Sequence, residues 1–173
     1  MAVDLCTSAT GVWRPHPVHH QLAALAGSWS GPVLTWLDPA GPAVEDSLEA
    51  EAELILDGRF VQLRYCGRLG ETPVAGQLLI GYHVGDRQVE AAWMDSFHNG
   101  SAMMACTGHV EEDGTFVVLG SYPDGNDGPR WGWRMRLGRA GDLLVLDAEN
   151  IHPDGTADRA VSWRLYPVAP TAA

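Results

Sequence analysis

Apolar and polar residues alternate with a period of two along most of the chain from residue 28 onward. In the segment 48–56, Glu49, Glu51 and Glu53 alternate with alanine and leucine. This alternation predicts a β-strand with one face in water and the other against a core. Ten segments have the length and pattern of strands: 28–37, 48–56, 59–67, 73–84, 87–95, 100–109, 115–121, 130–137, 142–149 and 159–166.

Short links join these segments, and most links contain glycine beside asparagine, aspartate or proline, as at Asp57-Gly58. Strands joined by such short links pair as antiparallel neighbours. A meander of about ten strands would leave two long unpaired edges unless it closed on itself. The pattern therefore predicts an all-β fold, a closed antiparallel up-and-down barrel.

The residues before the first strand follow a different pattern. Residues 18–26 are rich in alanine and leucine and end at Gly27, which predicts a short helix able to plug one end of the barrel. Residues 1–17, with two prolines near their end, are expected to form an extended arm. The expected organisation is an arm at 1–17 and a single barrel domain at 18–169.

The alternation also predicts which side chains face the interior. Trp93 and Asp95 share one face of their strand, and that face is expected to point inward. Trp131 and Trp133 share the face opposite three arginines, so the tryptophans are expected inside and the arginines in solvent.

The segment 59–67 allows two orientations. If Arg64 faces inward with Gln62 and Cys66, its guanidinium would anchor a ligand carboxylate by a bidentate contact. If Tyr65 faces inward with the aliphatic residues around it, Arg64 lies in solvent. The pattern leaves both orientations open.

Seven tryptophans are many for a chain of 173 residues. They fill a core awkwardly, because each indole N–H needs an acceptor. Aromatic walls with a few polar groups are typical of ligand cavities. We therefore expect an internal apolar pocket, the alternative being a barrel plugged by its own large side chains.

Acidic residues outnumber basic residues 22 to 11, giving a formal net charge of −11. An acidic surface repels nucleic acid and anionic membranes, so neither is an expected partner. The chain has neither a signal-peptide pattern nor an apolar run that could cross a bilayer, which predicts a cytoplasmic location.

Three cysteines without metal-ligand spacing are expected to be reduced thiols, two of them packed in the barrel wall. The sequence leaves open whether the chain forms a homodimer.

Four motifs occur in order along the chain: Leu-Ala-Gly-Ser-Trp at 25–29, Asp-Gly-Arg-Phe at 57–60, Gly-Tyr-His at 81–83 and Trp-Met-Asp-Ser-Phe-His-Asn-Gly at 93–100. With these motifs the chain resembles, over about residues 19–166, a family of uncharacterised bacterial lipocalin-like proteins, the domain of unknown function 1579. The resemblance implies a lipocalin-like barrel with a pocket, and it implies no reaction. His83 departs from the family pattern, in which we expect aspartate after Gly-Tyr.

Residues 22–31 also resemble the opening of calycin barrels, in which a helical turn leads into Gly-x-Trp on the first strand. In that superfamily the tryptophan packs at the closed end of the barrel against an arginine of the last strand. The resemblance implies that Trp29 and Arg164 form this pair through a cation–π contact.

The densest polar cluster is Asp95-Ser96-Phe97-His98-Asn99-Gly100, between two predicted strands. Burial of Asp95 beside a tryptophan would raise its pKa and suit it to general acid–base catalysis, with His98 assisting. Alternatively, Asp95 and Ser96 cap a tight turn by accepting backbone N–H groups. Asp95 and His98 are thus the candidate catalytic residues.

A ligand is expected to touch side chains on the inner face and at the rims of the barrel. His83 and His109 are also candidates for ordinary surface histidines. The expected ligand-binding residues are Trp36, Arg64, Tyr65, His83, Trp93, Met104, His109, Trp131 and Trp133.

Neither a metal nor a cofactor is expected. His16, His19 and His20 have a spacing that suits Zn²⁺, but no cysteine or carboxylate lies near them in the sequence. The sharper alternative is haem, which nitrobindin-type ten-stranded barrels bind through a histidine near the C-terminus. His152 lies in that region, but the Pro153-Asp154-Gly155 that follows predicts a hairpin loop pointing away from the pocket.

The leading hypothesis is a barrel that binds a small, mainly apolar molecule. The alternative is a cofactor-free biosynthetic enzyme, such as a cyclase, isomerase or dehydratase, that uses Asp95 and His98 on a hydrophobic substrate in the same pocket. A haem-binding barrel is the second alternative.

Overall fold

The computed structural model describes residues 13–125 and 128–169 of the chain. These residues contain one short helix, α1 (Pro17–Ala23), and ten strands. The strands are β1 (Gly27–Thr35), β2 (Val44–Ile55), β3 (Phe60–Leu69), β4 (Thr72–His83), β5 (Gln88–Asp95), β6 (Met104–Val110), β7 (Phe116–Tyr122), β8 (Trp131–Ala140), β9 (Leu143–Ile151) and β10 (Ala157–Pro167). Most of the predicted arm at 1–17 lies outside the described residues, so the division into arm and barrel stays a prediction.

The ten strands form one closed barrel in which every strand pairs with its neighbours in sequence. All pairs are antiparallel, and β1 completes the barrel by pairing with β10, with Val33 opposite Trp163. The predicted closed up-and-down barrel is confirmed. Closure pairs the backbone groups that an open sheet would leave at its two edges.

The helix α1 and the start of β1 cover one end of the barrel, called the closed end below. Leu22 and Leu25 are buried, and Trp29 donates its indole N–H to the carbonyl oxygen of Leu25 at 3.1 Å. The guanidinium of Arg139 lies 4.6 Å from the ring centroid of Trp29 and donates to the carbonyl oxygen of Ala24 at 3.1 Å. These contacts hold the helix against the barrel.

The implied pair of Trp29 with Arg164 is wrong. In β10, Trp163 and Leu165 are buried, so the residue between them points outward. The Arg164 guanidinium instead makes two hydrogen bonds to the carboxylate of Asp147, at 2.9 and 3.0 Å. The tryptophan does lie at the closed end, with an arginine of β8 in place of one of the last strand.

The strand predicted for β6 is shortened at its start. The segment 100–109 was expected to be a strand throughout, whereas β6 begins at Met104. The backbone at Gly100 has a φ of +57°, and Ala102 donates its N–H to the carbonyl of Asn99 at 2.9 Å. The turn therefore continues for several residues, and the loop between β5 and β6 is longer than the sequence indicated.

The loops that follow β1, β3, β5, β7 and β9 lie at the opposite end of the barrel, called the open end below, because α1 and the start of β1 lie at the closed end. Asp95 is the last residue of β5, so the polar cluster after it belongs to the open end. The side chains of Asp95 and Trp93 are buried, which confirms the predicted inner face of β5.

The wall of the barrel contains one buried cysteine, Cys106, whereas Cys66 is exposed. The expectation of two buried cysteines is therefore wrong for Cys66, because it lies on the outer face of β3 between Tyr65 and Gly67. Among the described residues, no helix has the length and apolar character needed to cross a membrane.

Candidate functional site

Two adjacent cavities occupy the open half of the barrel. The interior cavity has a volume of about 50 Å³ and lies between the inner faces of the strands. Its lining is mostly aromatic and aliphatic, with a few polar groups at the open end. The lining residues are Val33, Thr35, Leu48, Tyr65, Arg68, Leu69, Val74, Leu78, Trp93, Asp95, Phe97, His98, Trp133, Met135, Leu146, Ala148, Val161 and Trp163.

The second cavity, called the mouth below, lies at the open end and has a volume of about 220 Å³. It shares five lining residues with the interior cavity, so the two spaces meet at a common wall: Thr35, Trp93, Phe97, His98 and Trp133. The remaining lining residues of the mouth are Trp36, Leu37, Asn99, Met104, Tyr122, Asn150 and Ala160.

A buried hydrogen-bond network lies on the wall of the interior cavity. Tyr65 donates its hydroxyl to Asp95 Oδ2 at 2.5 Å, and Trp93 donates its indole N–H to the Tyr65 oxygen at 2.9 Å. The side chain of Asp95 is 4% exposed. Because each buried polar atom has a partner, this network avoids the cost of unpaired polar groups.

The register of the sheet explains how a tyrosine of β3 reaches an aspartate of β5. Tyr65 is opposite Gly76 of β4, and Gly76 is opposite Asp95. A Cβ atom at Gly76 would overlap the Tyr65 hydroxyl. The missing side chain therefore leaves room for the tyrosine ring to pass over the intervening strand.

The second carboxylate oxygen of Asp95 organises the turn that follows. Its Oδ1 accepts the backbone N–H groups of Phe97 at 2.8 Å and of His98 at 2.6 Å. The same atom lies 2.9 Å from Nδ1 of the His98 imidazole. The turn-capping interpretation of Asp95 is thus confirmed, and the same oxygen also orients the histidine.

The expected rise in the pKa of Asp95 is wrong. Burial of this carboxyl favours the neutral form, but the hydrogen bonds from His98, from the hydroxyl of Tyr65 and from the backbone outweigh it and lower the pKa from 3.8 to about 2. For Tyr65, burial and then the negative charge of Asp95 raise the pKa of the hydroxyl well above its usual range. At neutral pH Asp95 is an anion and Tyr65 is a neutral donor.

Aromatic rings surround His98. Trp93 and Trp133 are stacked nearly parallel, with ring centroids 5.0 Å apart and planes 7° apart. The centroid of the His98 ring lies 5.5 Å from that of Trp93 and 5.2 Å from that of Trp133. This arrangement places a polarised imidazole at the junction of the two cavities, in apolar surroundings.

One hydrogen-bond donor of this site has no partner. The indole N–H of Trp133 is buried and faces no acceptor among the described residues. A buried donor without an acceptor costs about 1–3 kcal/mol, so such groups are rare and call for an explanation.

The structure brings together seven of the eleven residues predicted for the site. Asp95, His98, Tyr65, Trp93 and Trp133 line the interior cavity. The mouth adds the last two, Trp36 and Met104. The orientation of 59–67 is resolved with Tyr65 inward.

The other four residues predicted to touch a ligand line neither of the two cavities. Arg64 points outward and pairs with carboxylates of β2, because Tyr65 takes the inward position beside it. His83 is exposed and pairs with an aspartate at the closed end, and His109 is exposed on the outer face of β6. Trp131 is half-buried and packs against the ring of His152 at 4.1 Å.

His152, considered as a haem ligand, contacts a residue of β10. Its Nε2 lies 2.6 Å from a carboxylate oxygen of Asp158, and it lines neither of the cavities. Of the histidines considered for Zn²⁺, His19 is buried and its Nδ1 accepts the backbone N–H of His16 at 2.9 Å, where it caps α1. No metal-binding group of three or more ligand side chains occurs among residues 13–125 and 128–169.

Five polar residues of the cavities were missed: Thr35, Arg68, Asn99, Tyr122 and Asn150. Tyr122 donates its hydroxyl to the side-chain oxygen of Asn150 at 2.6 Å. Asn150 is in phase with the buried Leu146 and Ala148, and a polar residue in the inward phase of a strand is the signal that would have identified it.

Comparison with protein families gives one match. The family model described as "Protein of unknown function (DUF1579)" matches residues 14–165. No curated protein matches the chain.

Proposed function

Because the chain belongs to the DUF1579 family, whose description assigns neither ligand nor reaction, the site itself must suggest the function, and we propose that the barrel binds a small, mainly apolar molecule through its open end. The observation that carries this proposal is the pair of adjacent cavities with a shared aromatic wall and a few oriented polar groups. Pockets of this composition are typical of small-molecule sites.

The size of the cavities constrains how such a ligand sits. The interior cavity, about 50 Å³, holds only a few ligand atoms, while the mouth has about 220 Å³. Typical sites for small molecules measure about 300–1,000 Å³. A ligand of ring size therefore extends from the mouth into the interior and contacts the shared wall of Trp93, His98 and Trp133.

Binding of a neutral apolar dye tests the proposal. N-phenyl-1-naphthylamine becomes brighter in apolar surroundings, and bound next to Trp93 and Trp133 it would also receive energy from the tryptophans. Ala148, buried at the end of the interior cavity, provides the blocking variant Ala148→Leu. The matched control is Ala105→Leu, on the exposed outer face of β6.

We expect the dye to bind to the wild type and to Ala105→Leu, and to bind Ala148→Leu at least tenfold more weakly. Thermal unfolding of both variants checks that they fold. Equal dye binding by folded Ala148→Leu and wild type would place the dye outside the barrel and refute the proposal.

One observation favours a second candidate, an acid–base enzyme in the same cavity. The ionised Asp95 holds His98 Nδ1 at 2.9 Å, and an aspartate–histidine pair of this kind orients the imidazole and fixes its tautomer. In this mechanism His98 accepts a proton from the substrate. Asp95 is not the acid, because its carboxyl is ionised.

Hydrogen exchange on a bound ketone tests this candidate. 2-Tetralone has two fused rings and acidic α-hydrogens, and its exchange with D₂O is followed by NMR. An acid–base enzyme accelerates the exchange with the wild type and not with His98→Gln. Equal rates with the two proteins would exclude proton transfer by His98 from this probe and leave binding as the function.

A further inference from the structure

The hydrogen-bonding groups at the junction of the two cavities specify the chemistry of the ligand. We propose that the ligand is a planar apolar ring bearing a hydroxyl group, a phenol or an enol. Its hydroxyl donates to His98 Nε2 and its oxygen accepts from the indole N–H of Trp133. This inference rests on the proposed binding function and deepens it.

The network around Asp95 fixes the tautomer of His98. An ionised carboxylate has no hydrogen to donate, so the hydrogen between Asp95 Oδ1 and His98 Nδ1 belongs to the histidine. In the neutral ring the other nitrogen, Nε2, then has a lone pair and accepts a hydrogen bond. None of the described residues makes a hydrogen bond to Nε2, so this nitrogen is free to accept one from a ligand.

Trp133 presents the opposite requirement. An indole N–H is a donor only, and this one is buried without an acceptor. Trp133 lines both cavities, as His98 does. Neighbouring side chains cover the N–H in the unliganded chain, so an acceptor reaches it after a side-chain shift of the kind that is common on binding.

A single hydroxyl group satisfies both requirements. His98 and Trp133 are neighbours, with ring centroids 5.2 Å apart. One hydroxyl group both donates a hydrogen bond and accepts one, each of about 2.9 Å. The parallel stack of Trp93 and Trp133 provides a flat apolar surface beside the oxygen, which suits a planar ring.

Three probes that differ by one group test the assignment: naphthalene, 2-methoxynaphthalene and 2-naphthol. The first has no polar group, the second has an acceptor, and the third has an acceptor and a donor. Affinities are measured by isothermal titration calorimetry at neutral pH. At about 1 kcal/mol for each net hydrogen bond, we expect the methoxy compound to bind about fivefold and the naphthol about thirtyfold more tightly than naphthalene.

Two variants assign each gain to its residue. Trp133→Phe and His98→Phe both replace the residue by an aromatic ring that carries no nitrogen. Trp133→Phe is expected to abolish the advantage of 2-methoxynaphthalene over naphthalene. His98→Phe is expected to abolish the further advantage of 2-naphthol over 2-methoxynaphthalene.

The outcomes separate this inference from the binding function itself. If naphthalene does not bind to the wild type, the apolar binding function fails. If all three probes bind equally, the barrel binds apolar rings and the hydroxyl assignment is overturned. Equal binding of 2-naphthol and 2-methoxynaphthalene would also overturn it, because an acceptor alone would then suffice. Since both variants retain the ring contacts, their affinity for naphthalene reports whether the cavity is intact.

Discussion

Replacement of Asp95 by asparagine is the most direct test of the buried network. The pKa of this carboxyl is lowered from 3.8 to about 2, and at about 1.4 kcal/mol for each tenfold change in the ionisation equilibrium this corresponds to about 2 kcal/mol. The sign follows from linkage. A carboxyl whose pKa is lower in the folded than in the unfolded state stabilises the fold above pH 4, and this contribution is lost as the pH falls toward 2.

We therefore expect Asp95→Asn to lower the free energy of unfolding by about 2 kcal/mol at pH 7 and by much less near pH 2. The reason is that asparagine carries no charge, and its N–H₂ group would face one of the O–H or N–H groups whose hydrogen bonds Asp95 accepts. Urea unfolding followed by tryptophan fluorescence at several pH values between 2 and 7 measures the difference. Because other carboxyls titrate in both proteins, the difference between variant and wild type isolates this group.

The control is Asp142→Asn in the exposed turn between β8 and β9, which is expected to change stability by less than about 0.5 kcal/mol at every pH. A pH-independent difference between Asp95→Asn and the wild type would refute the reasoning. In that case the Asp95 side chain would stabilise the fold through its shape, and the charge of its carboxylate would not contribute to the free energy of unfolding.

Three further predictions follow from the same geometry. Tyr65→Phe should raise the pKa of Asp95, measured by carboxyl NMR titration, and should cost about 1–2 kcal/mol in urea unfolding; an unchanged pKa would contradict the 2.5 Å hydrogen bond. Gly76→Ala should displace the tyrosine ring and raise the same pKa in the same assay, because a Cβ atom there overlaps the hydroxyl. A thiol reagent should label Cys66 in seconds to minutes and Cys106 only on unfolding, because burial raises the pKa of the Cys106 thiol to about 11. Mapping of labelled peptides by mass measures this order, and labelling of Cys106 before Cys66 would contradict the prediction.

The fold follows from the sequence because a barrel of short antiparallel strands has a strong local signature. Period-two alternation predicts each strand, and short turns predict which strands are neighbours. The orientation of 59–67 seemed open because both of its faces carry mixed residues. The turn at Asp57-Gly58 contains the answer, because hairpin pairing across it puts Arg64 opposite Glu51, on the exposed face of β2.

The site was less predictable, for two physical reasons. The first is the phase of a strand. Met104 and His109 were both assigned to the ligand, yet their positions differ by an odd number, so they lie on opposite faces of β6. The second is long-range pairing. Burial of Asp95 was foreseen, but its pKa depends on a tyrosine thirty residues away whose hydroxyl passes over a glycine.

The pairing of β1 with β10 also has a consequence for synthesis of the chain. Trp29 and Pro167 are register partners, although almost the whole barrel lies between them in sequence. While the ribosome extends the chain, β1 has no partner on one edge until the last strand has emerged. At about 5–20 residues per second, the nascent sheet carries an open edge for several seconds. The same closure that leaves the mature barrel without edges thus leaves its unfinished form with an exposed strand with which another chain can pair.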